Sequence, residues 1–94
     1  MEKAKVTIIF CTRCKWMLRA TWMAQELLST FEQELEEVSL KPDDTGGVFE
    51  IHVDNHLLFS RSAYGRFPEI KELKQLMRDV VAPGRSLGHI DSSN

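Results

Sequence analysis

Apolar and polar positions change their spacing along the chain, and each change marks a predicted element. Residues 6–10 form a continuous β-branched apolar run, which is typical of a central strand covered on both faces. Residues 15–31 instead place apolar side chains at helical spacing, and this stripe comprises Trp16, Ala20, Met23, Ala24, Leu27, Leu28 and Phe31. The first third of the chain therefore predicts a strand followed by a long amphipathic helix.

Three more strands are predicted in the middle of the chain. Residues 36–40 alternate between apolar and polar side chains and end at 41–47, a run of turn formers that predicts a loop. Residues 48–53 and 56–60 also alternate, and they flank Asp54-Asn55, a pair that tolerates positive φ. This part of the sequence therefore predicts one strand followed by a β-hairpin.

A second helix is predicted near the end of the chain. Residues 61–67 form a polar connection, and Pro68 is a favourable first helical residue. The helix is expected to end at Val81, before Pro-Gly, and residues 83–94 form a tail without periodicity. The apolar face of this helix comprises Ile70, Leu73, Leu76, Met77, Val80 and Val81.

The predicted element order is β-α-β-β-β-α. A right-handed crossover makes the first two strands parallel, and the hairpin adds an antiparallel pair beside strand one. The sequence thus predicts an α/β fold with a four-stranded mixed sheet packed with two helices. This is a reduced thioredoxin-like topology, in which the loop 41–47 replaces the usual helix between the second and third strands.

Length and charge narrow the class of protein. The 94 residues suit one domain over 1–94, and 12 basic against 14 acidic residues favour no nucleic-acid partner. No apolar stretch approaches the roughly 20 residues that cross a membrane, and the start of the chain lacks a signal-peptide pattern. We therefore expect a cytoplasmic domain with no membrane partner.

The two cysteines carry the candidate chemistry. Cys11 and Cys14 are the only cysteines, and they stand where the first strand gives way to the first helix. A helix N-terminus and the neighbouring cations Arg13 and Lys15 favour the thiolate, which is the form that attacks disulfides and peroxides. The pair is therefore a candidate for dithiol–disulfide cycling. The structural alternative is two small apolar side chains that merely lie together.

The chain resembles a known family in several motifs that follow in order. It is similar to the selenoprotein W / selenoprotein T / selenoprotein H (Rdx) family, in its bacterial cysteine-containing form. The matching segments are Cys11-Thr12-Arg13-Cys14-Lys15-Trp16, Arg19-Ala20-Thr21-Trp22, Gln25-Glu26-Leu27-Leu28, Gly46-Gly47-Val48-Phe49-Glu50-Ile51, Gly65-Arg66-Phe67-Pro68-Glu69 and Leu87-Gly88-His89. The resemblance implies a thioredoxin-like fold and a redox role.

The resemblance also orders the two cysteines. The first position of the family motif is Cys11, and the selenocysteine position is occupied by Cys14. This implies that Cys14 attacks and Cys11 resolves, whereas the N-terminal cysteine attacks first in thioredoxins. The substrate classes that follow are a glutathione adduct, a peroxide or a protein disulfide.

Two departures from thioredoxin limit that analogy. Thr12-Arg13 stands between the cysteines in place of Gly-Pro, so the redox potential does not carry over. No proline stands directly before a predicted strand to act as a cis-proline opposite the cysteines. We therefore do not expect substrate to be clamped in the thioredoxin manner.

A metal site is the competing chemical interpretation. Zinc usually takes four Cys or His ligands, and the histidines are His52, His56 and His89. His52 and His56 belong to the predicted hairpin, and nothing in the sequence brings them to the cysteines. We expect neither a metal nor another cofactor.

The expected binding partners follow from the position of the cysteine pair. If the fold is thioredoxin-like, the 61–67 connection lies at the cysteine end of the sheet, where a docking surface is predicted from Trp16, Tyr64, Arg66 and Phe67. Phe67 could equally be tucked under the second helix. The expected partner is glutathione or a protein thiol, and the chain is a monomer or a homodimer. The alternative function is a redox-switched interaction module without turnover.

Overall fold

The computed structural model describes residues 2–88, which form four strands and three helices. In chain order they are β1 (Ala4–Cys11), α1 (Met17–Thr30), β2 (Leu35–Asp43), β3 (Phe49–Val53), β4 (His56–Ser60), α2 (Arg61–Tyr64) and α3 (Ile70–Val81). The predicted order of strands and long helices is confirmed. The single-turn helix α2 lies where the sequence predicted a polar connection.

The strands form one mixed sheet in the order β2-β1-β3-β4. β1 is central: it runs parallel to β2 on one side, where Val6 pairs with Val38, and antiparallel to β3 on the other, where Ile8 pairs with Ile51. β4 completes the hairpin with β3. This is the predicted reduced thioredoxin-like arrangement, with Cys11 at the end of the central strand.

The hydrophobic core lies between one face of the sheet and the two long helices. It contains Val6, Ile8 and Phe10 of β1, together with Ala20, Met23, Ala24, Leu27, Phe31, Leu35, Phe49, Ile51, Val53, Phe59, Leu73 and Met77. Burial of this apolar surface is the main stabilising term of the fold. The helical stripes predicted from the sequence supply most of the helix side of this core.

The opposite face of the sheet is only partly covered, so the prediction that β1 is buried on both faces is wrong. Thr7 and Ile9 point away from the core and are half-buried, beside Glu50 and His52 of β3. The connection between β2 and β3 contains no helix, so no helical layer covers this second face of the sheet.

β2 is longer than its alternating pattern indicated. Lys41, Pro42 and Asp43 were predicted to belong to the loop, yet they continue the parallel pairing with β1 as far as Cys11. Pro42 is accepted because β2 is an edge strand, where a missing N–H need not interrupt the sheet. The extra residues bring the end of β2 alongside the cysteines.

Backbone conformation at the hairpin and at α2 follows local chemistry. Asp54 and Asn55 have φ values of 48° and 73°, which confirms the predicted turn with positive φ. Ser60 caps α2 by accepting a hydrogen bond from the N–H of Ala63, and Gly65 ends it in the left-handed region at φ 78°. These two caps explain a helical turn where only a loop was predicted.

α3 begins two residues later than predicted. Its N-cap is Glu69, which forms a capping box with Glu72, and the first helical residue is Ile70. Pro68 is buried ahead of the helix and is not its first residue. Arg66 donates two hydrogen bonds of 2.8 Å to the Glu72 carboxylate, which ties the incoming chain to the first turn.

After α3 the chain returns to the end of α1. Arg85 donates hydrogen bonds of 3.0 Å to the Glu34 carboxylate and to the carbonyl of Thr30. The rest of the predicted tail, 89–94 with His89, lies outside the described residues. Within residues 2–88, no helix is long and apolar enough to cross a membrane.

Candidate redox site

Cys11 and Cys14 form a disulfide at the end of the central strand. Their Cα atoms are 5.4 Å apart, within the range that a disulfide requires. Cys11 is the last residue of β1, and Cys14 lies in the turn that leads from β1 to α1. The residues predicted as the redox pair are therefore covalently paired in this structure.

The turn places Cys14 ahead of the helix rather than on it. The sequence predicted the helix from residue 15, but α1 begins at Met17 with Trp16 as its N-cap. Lys15 has a φ of 61°, in the left-handed region, which ends the turn before helical geometry starts. The prediction that the pair sits directly at a helix N-terminus is thus wrong by nearly one turn.

The two sulfur-bearing residues differ in exposure. Cys11 is 0% exposed, whereas Cys14 is only half-buried. Cys11 is also held by its backbone, because its N–H donates a 2.9 Å hydrogen bond to the carbonyl of Val48. An outside sulfur can approach Cys14 more readily than Cys11, which fits attack by Cys14 and resolution by Cys11.

The end of β2 braces the cysteine turn. The N–H of Thr12 donates to the carbonyl of Asp43 at 2.9 Å, and the Thr12 hydroxyl donates to the same oxygen at 3.3 Å. The Asp43 carboxylate accepts a 2.8 Å hydrogen bond from the N–H of Thr45, which lowers the pKa of Asp43. These bonds anchor the first residue between the cysteines to a rigid strand end.

Arg13 and Lys15 are both exposed on this turn. The Nη2 atom of Arg13 lies 3.6 Å from the position of a Cβ atom built on Gly46, so its side chain reaches toward the loop that follows β2. Both residues place positive charge in the segment that carries Cys14. Their stabilisation of a thiolate stays a prediction.

An aromatic cluster of Trp16, Phe49 and Phe67 lies beside the turn. Trp16 contacts Phe67 edge to face with ring centroids 4.7 Å apart, and Phe49 contacts Phe67 at 5.1 Å. Phe49 is buried, while Trp16 and Phe67 are half-buried. The structure therefore brings together two of the four residues predicted for docking, Trp16 and Phe67. Phe67 packs against Trp16 at the N-cap of α1 and against Phe49 of β3.

The other two predicted docking residues have different partners. Tyr64 stacks on Phe59 with ring centroids 4.2 Å apart, and Arg66 lies 5.8 Å from the Tyr64 ring. Arg66 is engaged by Glu72: their hydrogen bonds raise the pKa of Arg66 and lower the pKa of Glu72. Tyr64 thus packs on β4 and Arg66 is tied to the first turn of α3, and a docking role for either stays a prediction.

Sequence reasoning missed two arginines at the aromatic cluster. The guanidinium carbon of Arg19 lies 3.9 Å from the Phe67 ring centroid, and that of Arg61 lies 5.0 Å from both Phe67 and Trp16. In the sequence, Arg19 appeared only as part of a segment that matches the family, and Arg61 only as part of a polar connection. No local pattern signals their meeting, because they are 42 positions apart and converge only where Phe67 packs against Trp16 and Phe49.

A groove of about 420 Å³ lies on the opposite side of the turn, where β2 meets the start of α1. We call it the apolar groove; its lining residues are Phe10, Thr12, Lys15, Met17, Leu40 and Pro42. Met17 is 58% exposed and the adjacent Leu18 is 82% exposed. The turn that carries Cys14 therefore borders the apolar groove through Thr12 and Lys15, and Trp16, which follows the turn, belongs to the aromatic cluster.

His52 and His56 form no metal site with the cysteines. His52 contacts the Glu50 carboxylate at 2.9 Å on the open face of the sheet, and His56 is exposed at the start of β4. Among residues 2–88, no group of three or more His, Cys, Asp or Glu side chains is placed to hold a metal ion. His89 lies outside the described residues.

Comparisons with known proteins identify the chain's relatives. It is 49% identical to a selenoprotein W-related protein from Vibrio cholerae, whose crystal structure matches with a TM-score of 0.81 over 85% of this chain and 99% of that one. It is 54% identical to a Bordetella parapertussis protein, with a TM-score of 0.80 over 83% and 98%. A search of curated proteins found no match. The model of the Rdx family matches residues 5–79, and the chain therefore belongs to the Rdx family.

Proposed function

We propose that this protein is a thiol–disulfide redox protein that cycles Cys11 and Cys14 between dithiol and disulfide. The observation that carries the proposal is the unequal exposure of a bonded cysteine pair at the end of the central strand. A half-buried sulfur beside a fully buried one suits a nucleophile and a resolving thiol. Membership of the Rdx family supports the same redox role.

The cycle begins with the reduced pair and a substrate disulfide. The Cys14 thiolate attacks one substrate sulfur, the substrate S–S bond breaks, and the first substrate thiolate leaves and takes up a proton. Cys11, as its thiolate, then attacks the Sγ atom of Cys14, forms the intramolecular disulfide and releases the second substrate thiol. The substrate gains the two electrons that the dithiol loses.

The substrate and the reductant are assigned by chemical class. The oxidising substrate is a glutathione adduct, a peroxide or a protein disulfide, and glutathione or a protein thiol supplies the two electrons that return the protein to its dithiol form. Such a cycle suits the reducing conditions of the cytoplasm, where exposed cysteines are kept as thiols. Arg13 and Lys15 contribute positive charge that favours the Cys14 thiolate.

Two single cysteine variants test the assignment of roles. Cys11→Ser retains the attacking sulfur but lacks the resolving one, so it should accumulate a mixed disulfide on Cys14 when mixed with a disulfide substrate. Cys14→Ser should form far less adduct, because its remaining thiol is buried. Mass spectrometry of the intact variants over time measures both, and a denatured sample of each shows that its thiol is reactive when uncovered.

The outcomes separate the proposal from its alternative. Equal rates of adduct formation in the two variants would refute the assignment of Cys14 as the nucleophile. Substrate reduction by the native pair that is no faster than by Cys14→Ser would refute the redox cycle. Oxidation that occurs once without turnover, and changes only the affinity for a partner, would favour the redox-switched interaction module.

A further inference from the structure

Within residues 2–88, three of the six arginines have no carboxylate partner. Arg66, Arg78 and Arg85 each form an ion pair with a carboxylate. Within residues 2–88, Arg13, Arg19 and Arg61 have no carboxylate within 4.0 Å. These residues belong to the cysteine turn, the first turn of α1 and the start of α2. In a protein with a net charge of −2, Arg19 and Arg61 thus meet at the Phe67 ring without an ion pair among the described residues.

Arg19 and Arg61 are held in place by the aromatic cluster; we call them the arginine pair. Both guanidinium groups lie over the Phe67 ring, and Arg61 also lies over Trp16. Stacking fixes the plane of a guanidinium while its N–H groups stay available at the edge, which suits bidentate binding of a carboxylate. The Nε atom of Arg61 is buried and donates to no acceptor in the described part of the chain.

The arginine pair and the apolar groove flank the cysteines on different sides of the central strand. The groove includes Leu40 and Pro42 of β2, whereas the arginine pair stacks on a cluster that includes Phe49 of β3. β1 lies between those two strands. A ligand that contacts both surfaces must extend across the turn that carries Cys14, and it must be apolar at one end and acidic at the other.

We infer that the arginine pair is a carboxylate-binding subsite for a polypeptide disulfide substrate with acidic residues beside its cysteine. The inference rests on the proposed redox cycle and adds the class of substrate. A polypeptide segment supplies both chemistries along one chain: apolar side chains enter the groove, the substrate sulfur meets Cys14, and a carboxylate binds Arg19 and Arg61. The electron balance is that of the cycle above, with one peptide disulfide converted to two peptide thiols.

Matched peptide disulfides test the inference. Each probe is a symmetrical disulfide of a short peptide whose cysteine has leucines on one side and glutamates on the other, made in both orders. The matched probe replaces every glutamate by glutamine. Release of peptide thiol by the reduced protein, measured by chromatography at low ionic strength, provides the ratio of rate constants for the two probes.

The variants are chosen so that charge and fold are controlled. Arg19→Gln changes an exposed side chain, so it keeps the test valid even if Arg61→Gln destabilises the cluster. Lys3→Gln is the matched control, because it removes the same charge from an exposed residue at the far end of β1. Thermal unfolding of each variant confirms that it is folded.

We expect the native protein and Lys3→Gln to reduce the glutamate probe about fivefold faster than the glutamine probe. The ratio should fall below about twofold in Arg19→Gln and in Arg61→Gln, and it should decline with added salt. Equal rates for the two probes in the native protein would overturn the inference while leaving the redox cycle intact. A ratio that falls equally in Lys3→Gln would also overturn it, because net charge alone would then explain the preference.

A binding measurement keeps the inference testable if the redox cycle itself fails. The oxidised protein is titrated with the same peptides carrying serine in place of cysteine, and binding is followed by calorimetry. Tighter binding of the glutamate peptide that is lost in Arg19→Gln but kept in Lys3→Gln supports the subsite without any thiol chemistry. Equal affinity for the glutamate and glutamine peptides would refute it.

Discussion

Removing the Phe67 side chain should weaken the packing of the aromatic cluster beside the cysteine turn. In Phe67→Ala, Trp16 and Phe49 each lose an edge-to-face partner, at 4.7 and 5.1 Å, and the guanidinium of Arg19 loses the ring that it covers at 3.9 Å. The indole of Trp16 should therefore become more exposed to water. The disulfide itself is untouched, so the change reports on the packing around it.

The expected loss of stability follows from the burial and contacts of the ring. Replacement of a fully buried Phe by Ala costs about 3–5 kcal/mol, and Phe67 is only half-buried, which brings the packing loss to about 2 kcal/mol. The aromatic geometry and the stacked guanidinium groups add about 0.5–1 kcal/mol. We therefore expect a decrease of about 2.5 kcal/mol in the free energy of unfolding, or roughly 10–20 °C in Tm.

Denaturant unfolding of the oxidised protein measures this loss. Trp22 is 47% exposed, so both proteins are compared in a Trp22→Phe background, where Trp16 is the one remaining tryptophan. The emission of Trp16 should shift to longer wavelength in Phe67→Ala. Leu57→Ala, at a residue 55% exposed on β4, is the control and should change stability by less than about 0.5 kcal/mol. A loss below about 0.5 kcal/mol in Phe67→Ala, or unchanged Trp16 emission, would refute the packing argument.

Three further changes test the caps, the hairpin and the core. Glu72→Gln should cost about 1 kcal/mol at pH 7 through loss of the Arg66 ion pair. That pair lowers the folded-state pKa of Glu72 below its ordinary value of 4.5. The difference in the free energy of unfolding between the native protein and Glu72→Gln should therefore be present above about pH 4.5 and vanish as pH falls through the folded pKa. Denaturant unfolding at several pH values checks this. Asn55→Val should cost about 1–2 kcal/mol, since a β-branched residue resists φ 73°, and thermal unfolding measures it. Met77→Ala should cost about 3 kcal/mol in denaturant unfolding, because Met77 is 0% exposed.

Each of these changes has a control and a contradicting result. An unchanged difference between Glu72→Gln and the native protein at pH 2 would contradict the ionised pair as its cause. Asn55→Gly should be neutral or stabilising, and equal losses in the glycine and valine variants would contradict the φ argument. Val80→Ala, at a residue 52% exposed, should have little effect, and a loss as large as that of Met77→Ala would contradict the assignment of the core.

Local sequence patterns determined the helices, the strands and the cysteine pair. Helical spacing placed Ala20, Met23 and Leu27 on the buried stripe of α1, because periodicity records which side of a helix faces away from water. Alternation around Asp54-Asn55 predicted the hairpin, and the spacing of Cys11 and Cys14 marked the pair that forms the disulfide. These features depend on residues close together in the chain, so they can be inferred without knowing the fold.

Tertiary structure alone decided what surrounds the disulfide. Pairing with β1 extended β2 to Asp43, against the turn-forming character of that segment, because the ladder continues to the end of the neighbouring strand. Packing of Phe67 against Trp16 and Phe49 brought Arg19 and Arg61 together at the Phe67 ring. The fold also left Cys14 half-buried while Cys11 was fully buried. Contacts between residues far apart in sequence depend on how whole elements pack, and no local pattern contains that information.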